Sequence, residues 1–191
     1  MKSTISLSLA LVALILTPIV RADWVEDAVK QIRADYNATE SARLTKRTIQ
    51  FDDGPEVAEL TKHYRGDEVV KMVFSSGSDH SAVTDYYYFK NGQLYFIYQT
   101  GGSWSFDPNG PEGTTIDTGR EQRIYFHDNK VIRHLVKEVS SRDANAIPGL
   151  LAKASNQTVN DPDGAVSLGN AGYRLLQVNN ASQLEKYIYG E

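Results

Sequence analysis

The chain has 191 residues, with 24 Asp and Glu against 20 Lys and Arg, a formal charge of −4, and no cysteine. An acidic balance argues against nucleic acid and anionic membrane surfaces, which select clustered Lys and Arg. The lack of cysteine excludes thiol nucleophiles, thiolate metal sites and disulfides, so burial and hydrogen bonding must hold the fold.

Residues 1–22 read as a secretory signal peptide. Lys2 supplies a positive start, Ile5 to Leu16 is an apolar run, and Pro18 precedes Val20-Arg21-Ala22, a small-residue cleavage site. The run is too short, and too soon followed by polar sequence, to anchor the chain in a membrane. The expectation is a periplasmic or secreted protein with no stable membrane anchor once cleaved before Asp23. Losing Lys2 and Arg21 takes the formal charge from −4 to −6, and 22 of the 191 residues leave with the leader. Residues 23–191 suffice for a single α+β domain with its own core.

Asp23 to about Tyr36 is expected to be an amphipathic helix. Val25, Ala28, Val29, Ile32 and Tyr36 recur at helical spacing on one face, with Glu26 and Asp27 near the positive end of the dipole. Trp24 would help dock it. From Ala42 to Lys137 the period becomes that of strands. A strand at Leu44–Phe51 comes first, then a hairpin over Leu60–Phe74 that turns at Gly66-Asp67. The clearest hairpin joins Thr84–Lys90 to Gln93–Tyr98 through Asn91-Gly92, a type I′ turn signal. A two-residue turn sets Phe89 opposite Leu94, Tyr88 opposite Tyr95, Tyr87 opposite Phe96 and Tyr86 opposite Ile97. Tyr87, Phe89, Leu94 and Phe96 would then line one face, and Tyr86, Tyr88, Tyr95 and Ile97 the other. Arg123–His127, Asp128-Asn129 and Lys130–Leu135 repeat the pattern, setting His127 opposite Lys130 and His134 opposite Arg123. Consecutive hairpins imply an antiparallel meander, curved by strand twist.

Thr100 to Arg120, with five glycines plus Pro108 and Pro111, reads as a long loop of the functional or disordered kind. Past Ser140, three helical segments are expected. The first covers Ala144–Asn156, with Leu150, Leu151 and Ala154 inward. The second starts at Asp161 or Asp163 and includes Val166, Ala171 and Leu175, weakened by Gly169 and Gly172. The third is Ala181–Tyr189. The fold expected is α+β: an N-terminal helix packed on a curved antiparallel β-meander, with C-terminal helical segments.

The hairpin from Tyr86 to Tyr98 resembles one found in a group of uncharacterised exported bacterial proteins. Glu121-Gln122-Arg123-Ile124-Tyr125-Phe126 with Lys130-Val131-Ile132-Arg133 resembles the second half of that pattern, and Ile32-Arg33-x-x-Tyr36 is also similar. Together these span about two-thirds of the mature chain, a domain-sized stretch. The resemblance implies a bacterial envelope or secreted protein with an antiparallel sheet. Its motifs are turn and core residues, so it implies no catalytic residues.

Chemistry is sparse. His63, His80, His127 and His134 lack His-x-His or His-x-x-x-His spacing. The expected register puts His127 and His134 beside Lys130 and Arg123, where cations repel a metal and depress imidazole pKa values. No metal or cofactor is expected; such a patch is either solvated or faces an anion or acidic partner. Ser76, Ser78, Asp79, His80 and Ser81 hold the ingredients of a triad, but neighbours in sequence do not converge on one atom, and no G-x-S-x-G elbow occurs. Asp107–Glu112 and Asn160–Gly164 read as turns, because neither spaces its oxygens like a calcium loop. No P-loop, dinucleotide fingerprint or zincin motif occurs.

The tyrosine-rich sheet is the strongest candidate site. Either helices cover both of its faces, or one face stays open to an envelope protein or a small apolar ligand. Tyr86, Tyr88 and Tyr95 would belong to that face, with Trp104 and Phe106 as its lid or anchor; Arg123, His127 and His134 are separate binding candidates, through the cationic patch. The favoured reading is a non-enzymatic binding or interaction module. The alternative is a periplasmic carrier enclosing an apolar ligand between a half-barrel-like sheet and its helices, with a hydrolase third.

Overall fold

A computed structural model of the protein describes residues 19–54 and 56–190. Up to residue 18, the expected signal peptide lies outside the described residues. Helix α1 (Ile19–Glu40) precedes seven strands: β1 (Thr45–Asp53), β2 (Glu56–Arg65), β3 (Glu68–Ser78), β4 (Ser81–Lys90), β5 (Gln93–Phe106), β6 (Thr115–His127) and β7 (Lys130–Ser141). A short 3₁₀ turn leads into α2 (Ile147–Lys153), then β8 (Gln157–Thr158), α3 (Pro162–Gln177) and α4 (Ala181–Tyr189). The strands form one open antiparallel meander in the order β1 to β8. The expected α+β architecture is the one observed.

Turn chemistry explains where the hairpins fold. Asn91 and Gly92 take φ of 52° and 72°, and Asp128 and Asn129 take 49° and 60°, the positive angles a type I′ turn needs. The register, however, departs from the simple expectation. Phe89 pairs with Leu94, but a bulge then sets Tyr88 opposite Phe96, Tyr87 opposite Ile97 and Tyr86 opposite Tyr98. The pairs expected for Tyr86, Tyr87 and Tyr88 therefore do not form. Tyr95, the extra residue, leaves itself and Phe96 on one face, while Ile97 moves to the other.

The physical reason is packing against α1. Tyr95 and Phe96 together meet that helix, through Thr39 (3.4 Å) and Tyr36 (ring centroids 5.6 Å), which strict alternation would forbid. The second hairpin slips in the same place: His127 pairs with Lys130 and Phe126 with Val131, but Ile124 then faces His134, and Arg123 faces Leu135. The expected pairing of His134 with Arg123 is thus replaced, and the two lie on opposite faces. In β2–β3 the shift again follows two pairs, leaving Val70 as the extra residue. The repeat is one of bulged hairpins.

Helices cover both faces of the sheet. On one, Val29 and Ile32 of α1 pack on Tyr88, Tyr95, Phe96 and Tyr125. Further along the same face, α2 sits on Gly119, where a Cβ would collide with Ile147. The chain then crosses the sheet edge as β8. On the other face, Leu175 of α3 and Leu184 of α4 join Met72, Tyr87, Ile97 and Ile124, each at 0–1 % exposure. Gly169 lies over Phe126 and Gly172 over Tyr87. The glycines that weaken α3 by propensity are the ones that let it approach.

The N-termini of α3 and α4 are capped. Asp161 accepts from the Gly164 N–H and Asn180 from the Gln183 N–H, both at 3.0 Å. At the C-terminus of α3, Lys62 donates to the Leu176 carbonyl and Arg47 to that of Asn179, each at 2.7 Å. Lys62 is buried, which lowers its pKa, with Arg47 adding in the same direction.

Other expectations need correcting. Thr100–Arg120 is mostly strand, since β5 runs to Phe106 and β6 starts at Thr115. Its glycines serve close approach: a Cβ on Gly101 would stand 2.7 Å from the Ala82 carbonyl. The N-terminal helix extends past the expected bounds at both ends, beginning at Ile19 and closing at Glu40. Leu151 is buried, but Leu150 is 38 % exposed and Val166 is 45 % exposed.

Candidate binding groove

Helix α1 lies across the strands, held at one end by Glu26 with Arg133 and at the other by Glu40 with Lys71 (2.7 Å). Lys90 also reaches Asp35 at 2.9 Å. It covers the row of side chains nearest the turns and leaves the next row beside its flank. A groove of about 410 Å³ results, lined by Ile32, Arg33, Tyr36 and Asn37 of α1, Phe96 and Tyr98 of β5, and Arg123 and Tyr125 of β6.

Aromatic rings build its floor. Phe96 meets Tyr125 at 5.0 Å, and Tyr86 stacks on Tyr98 at 5.5 Å. Arg123 lies over the Tyr98 ring at 5.0 Å and donates to Glu121 (2.8 Å) and Asn156 (3.2 Å). Burial, and then Glu121, pushes the Tyr98 phenol up; burial, and then Glu40, does the same for Tyr36. Both phenols stay neutral and able to donate. The groove therefore offers flat apolar surface, neutral hydroxyls and a guanidinium from each wall.

The structure brings together only part of the expected site. Tyr86 and Arg123 reach the groove through Tyr98. Tyr88 and Tyr95 share that face but lie under α1, at 1 % and 9 % exposure. His127 stands at the turn end, edge-on to Trp24 at 5.0 Å and 3.3 Å from Asp128. His134 is on the opposite face, so the expected cluster of Arg123, His127, Lys130 and His134 does not assemble. Trp104 and Phe106 are strand residues, not parts of a flexible loop. Trp104 packs edge-on to His80 at 4.3 Å and donates to the Asp79 carbonyl at 3.1 Å, while Phe106 is 70 % exposed. Sequence reasoning missed Arg33, Tyr36, Asn37, Phe96, Tyr98 and Tyr125 as a group. The only signal for the helix wall is the Ile32-Arg33-x-x-Tyr36 run.

The opposite face carries a chain of polar side chains across four strands. Asp85 accepts from Gln99 (2.5 Å) and from the Tyr87 hydroxyl (3.3 Å); Gln99 accepts from Gln122; and Gln122 meets His134 Nε2 at 2.9 Å. Burial raises the Asp85 carboxyl and lowers the His134 imidazole. Asp85 on β4 and His134 on β7 are three strand spacings apart, about 14 Å, too far to act on one reacting atom. This ladder orders the sheet interior, and at its end the buried Nδ1 of His134 has no hydrogen-bond partner. Asp107 accepts from the Asn109 N–H (2.9 Å) and from Arg142 (2.6 Å), which together hold its carboxyl below the usual range, and Asp161 serves as a helix cap. Among the described residues there is no cluster of three His, Asp or Glu able to hold a metal, and no helix long and apolar enough to cross a membrane. No protein-family model, curated protein or solved structure matches the chain.

Proposed function

We propose that the protein is an exported, non-catalytic binding module, and that its site is the groove between α1 and the aromatic sheet face. Its ligand is a small molecule with a flat apolar body and an acidic group. One observation carries this reading: Arg123 lies over Tyr98 on an aromatic floor, with Arg33 on the facing wall. A volume of about 410 Å³ falls within the range of small-ligand sites. Arg123 has five N–H donors, of which contacts with Glu121 and Asn156 use two. The export half of the reading rests on Lys2, the apolar run Ile5–Leu16 and Val20-Arg21-Ala22.

The carrier alternative would use the same groove. Between the sheet and the C-terminal helices, Met72, Tyr87, Leu175 and Leu184 already occupy the space at 0 % exposure.

The test is a fluorescence titration with 1-anilinonaphthalene-8-sulfonate, an aromatic anion. The expected result is saturable one-site binding, weakened about tenfold by Arg123→Gln, the scale of one charge-assisted hydrogen bond. Tyr98→Ala should weaken it similarly. Equal binding by the wild type and both variants would overturn the proposal.

A further inference from the structure

The two edges of the sheet are not alike. The β7 edge is partly covered: β8 pairs with Leu135 and Val136, and the Val159 N–H bonds the His134 carbonyl at 3.0 Å. The β1 edge spans nine residues, and among the described residues it pairs only with β2. Its outer backbone donors and acceptors form a template for another strand.

The sequence of β1 selects that strand. We infer that β1 is the pairing edge of a two-fold symmetric dimer, in which two copies of this chain join antiparallel through β1 into one continuous sheet. With the axis through Ile49, Lys46 stands opposite Asp52 of the second copy, Thr48 opposite Gln50, and Arg47 opposite Phe51. Alternation puts Lys46, Thr48, Gln50 and Asp52 on the α1 face, and all four are exposed. The match on that face is cation to anion at both ends and hydroxyl to amide between. None of the seven ion pairs among the described residues uses Lys46 or Asp52. On the other face, Arg47, held by the Asn179 carbonyl, stands opposite Phe51, whose ring packs on Tyr189.

The same charges reject other arrangements. A parallel copy in register would set Lys46 on Lys46 and Asp52 on Asp52. A slip of one residue would set the α1 face of one copy beside the α3 and α4 face of the other and lose the match of Lys46 with Asp52. Charges at a sheet edge ordinarily block pairing; here their opposite signs at opposite ends disfavour the parallel in-register copy and favour the antiparallel self-match. A two-fold contact of this kind also closes, so the assembly stops at two.

Sedimentation velocity on the purified protein tests this, alongside a cross-link. Wild type should dimerise; Lys46→Asp and Asp52→Lys should each weaken the dimer about tenfold or more, since each sets like charges opposite at two places. The double variant Lys46→Asp/Asp52→Lys should recover it. Both residues are exposed, and circular dichroism verifies that each variant folds. The chain has no cysteine, so Lys46→Cys/Asp52→Cys should form a disulfide-linked dimer under mild oxidation, whereas Lys46→Cys alone should not. Six residues along one strand is about 20 Å, so that bond can only join two copies. A wild type that stays monomeric at the highest concentration it tolerates would overturn the inference. So would a dimer indifferent to both charge reversals, or one that Lys46→Cys alone cross-links.

Discussion

Replacing Gly172 by alanine should destabilise the protein, although alanine is the better helix former. Inside α3 the exchange gains about 0.8–1 kcal/mol of helix propensity. Against this, the new methyl would stand 2.6 Å from Tyr87 Cδ1 and 2.9 Å from Cε1. Carbon atoms prefer about 3.5–4.0 Å. Tyr87 is fully buried in the sheet, and its hydroxyl is bonded to Asp85, so the ring has nowhere to swing. Overpacking of this kind costs about 1–3 kcal/mol, leaving a net loss of about 0–2 kcal/mol. Gly149 in α2 is the control: a Cβ there meets nothing within 4 Å, so Gly149→Ala should gain about 0.5–1 kcal/mol. Gly169, whose Cβ would lie 3.3 Å from Phe126, should fall between them. Urea denaturation followed by circular dichroism measures all three. A Gly172→Ala protein as stable as Gly149→Ala would refute the docking of α3 on Tyr87.

Burial raises the Asp85 carboxyl above its ordinary 3.8, outweighing the hydrogen bonds from Gln99 and Tyr87 that lower it. The neutral form therefore favours folding: its stabilisation is complete below about pH 3.8 and is lost as the pH rises through the folded-state value. Asp85→Asn cannot charge, so it should gain on the wild type between about pH 3 and 7; parallel stability curves would contradict this. Phe106→Ala should change stability by less than about 0.5 kcal/mol, and Trp104→Ala should cost about 1–2 kcal/mol through its lost contacts with His80 and Asp79. Neither should alter binding of the dye, and a loss of binding in either would return it to the site.

The elements themselves were largely legible. Asn91-Gly92 and Asp128-Asn129 mark turns by the φ they accept, and Ala181–Tyr189 is marked by its apolar spacing. The register was legible only for the two pairs next to each turn. Leu94-Tyr95-Phe96-Ile97 is apolar throughout, so alternation cannot reveal which residue is extra, and Phe96 and Ile97 consequently exchange faces. Glycines mislead in the same way. Gly101 and Gly119 look like loop residues until the backbone of β4 and the side chains of α2 are set against them. Within the groove, Tyr86 and Arg123 could be found from strand parity. Arg33 and Asn37 could not, because which flank of α1 borders the floor depends on how the helix crosses the strands. Lys62 hides for a related reason: its buried charge makes sense only beside the end of α3, more than a hundred residues away in sequence.

Native mass spectrometry of wild type and Arg123→Gln, purified gently and in parallel from the cells that produce them, tests the binding groove most directly. The wild type should retain a small molecule with an acidic group and an apolar or aromatic body, and the variant should lose it. A molecule held equally by both proteins, or a wild type that carries only a protein chain, would contradict the assignment of the groove.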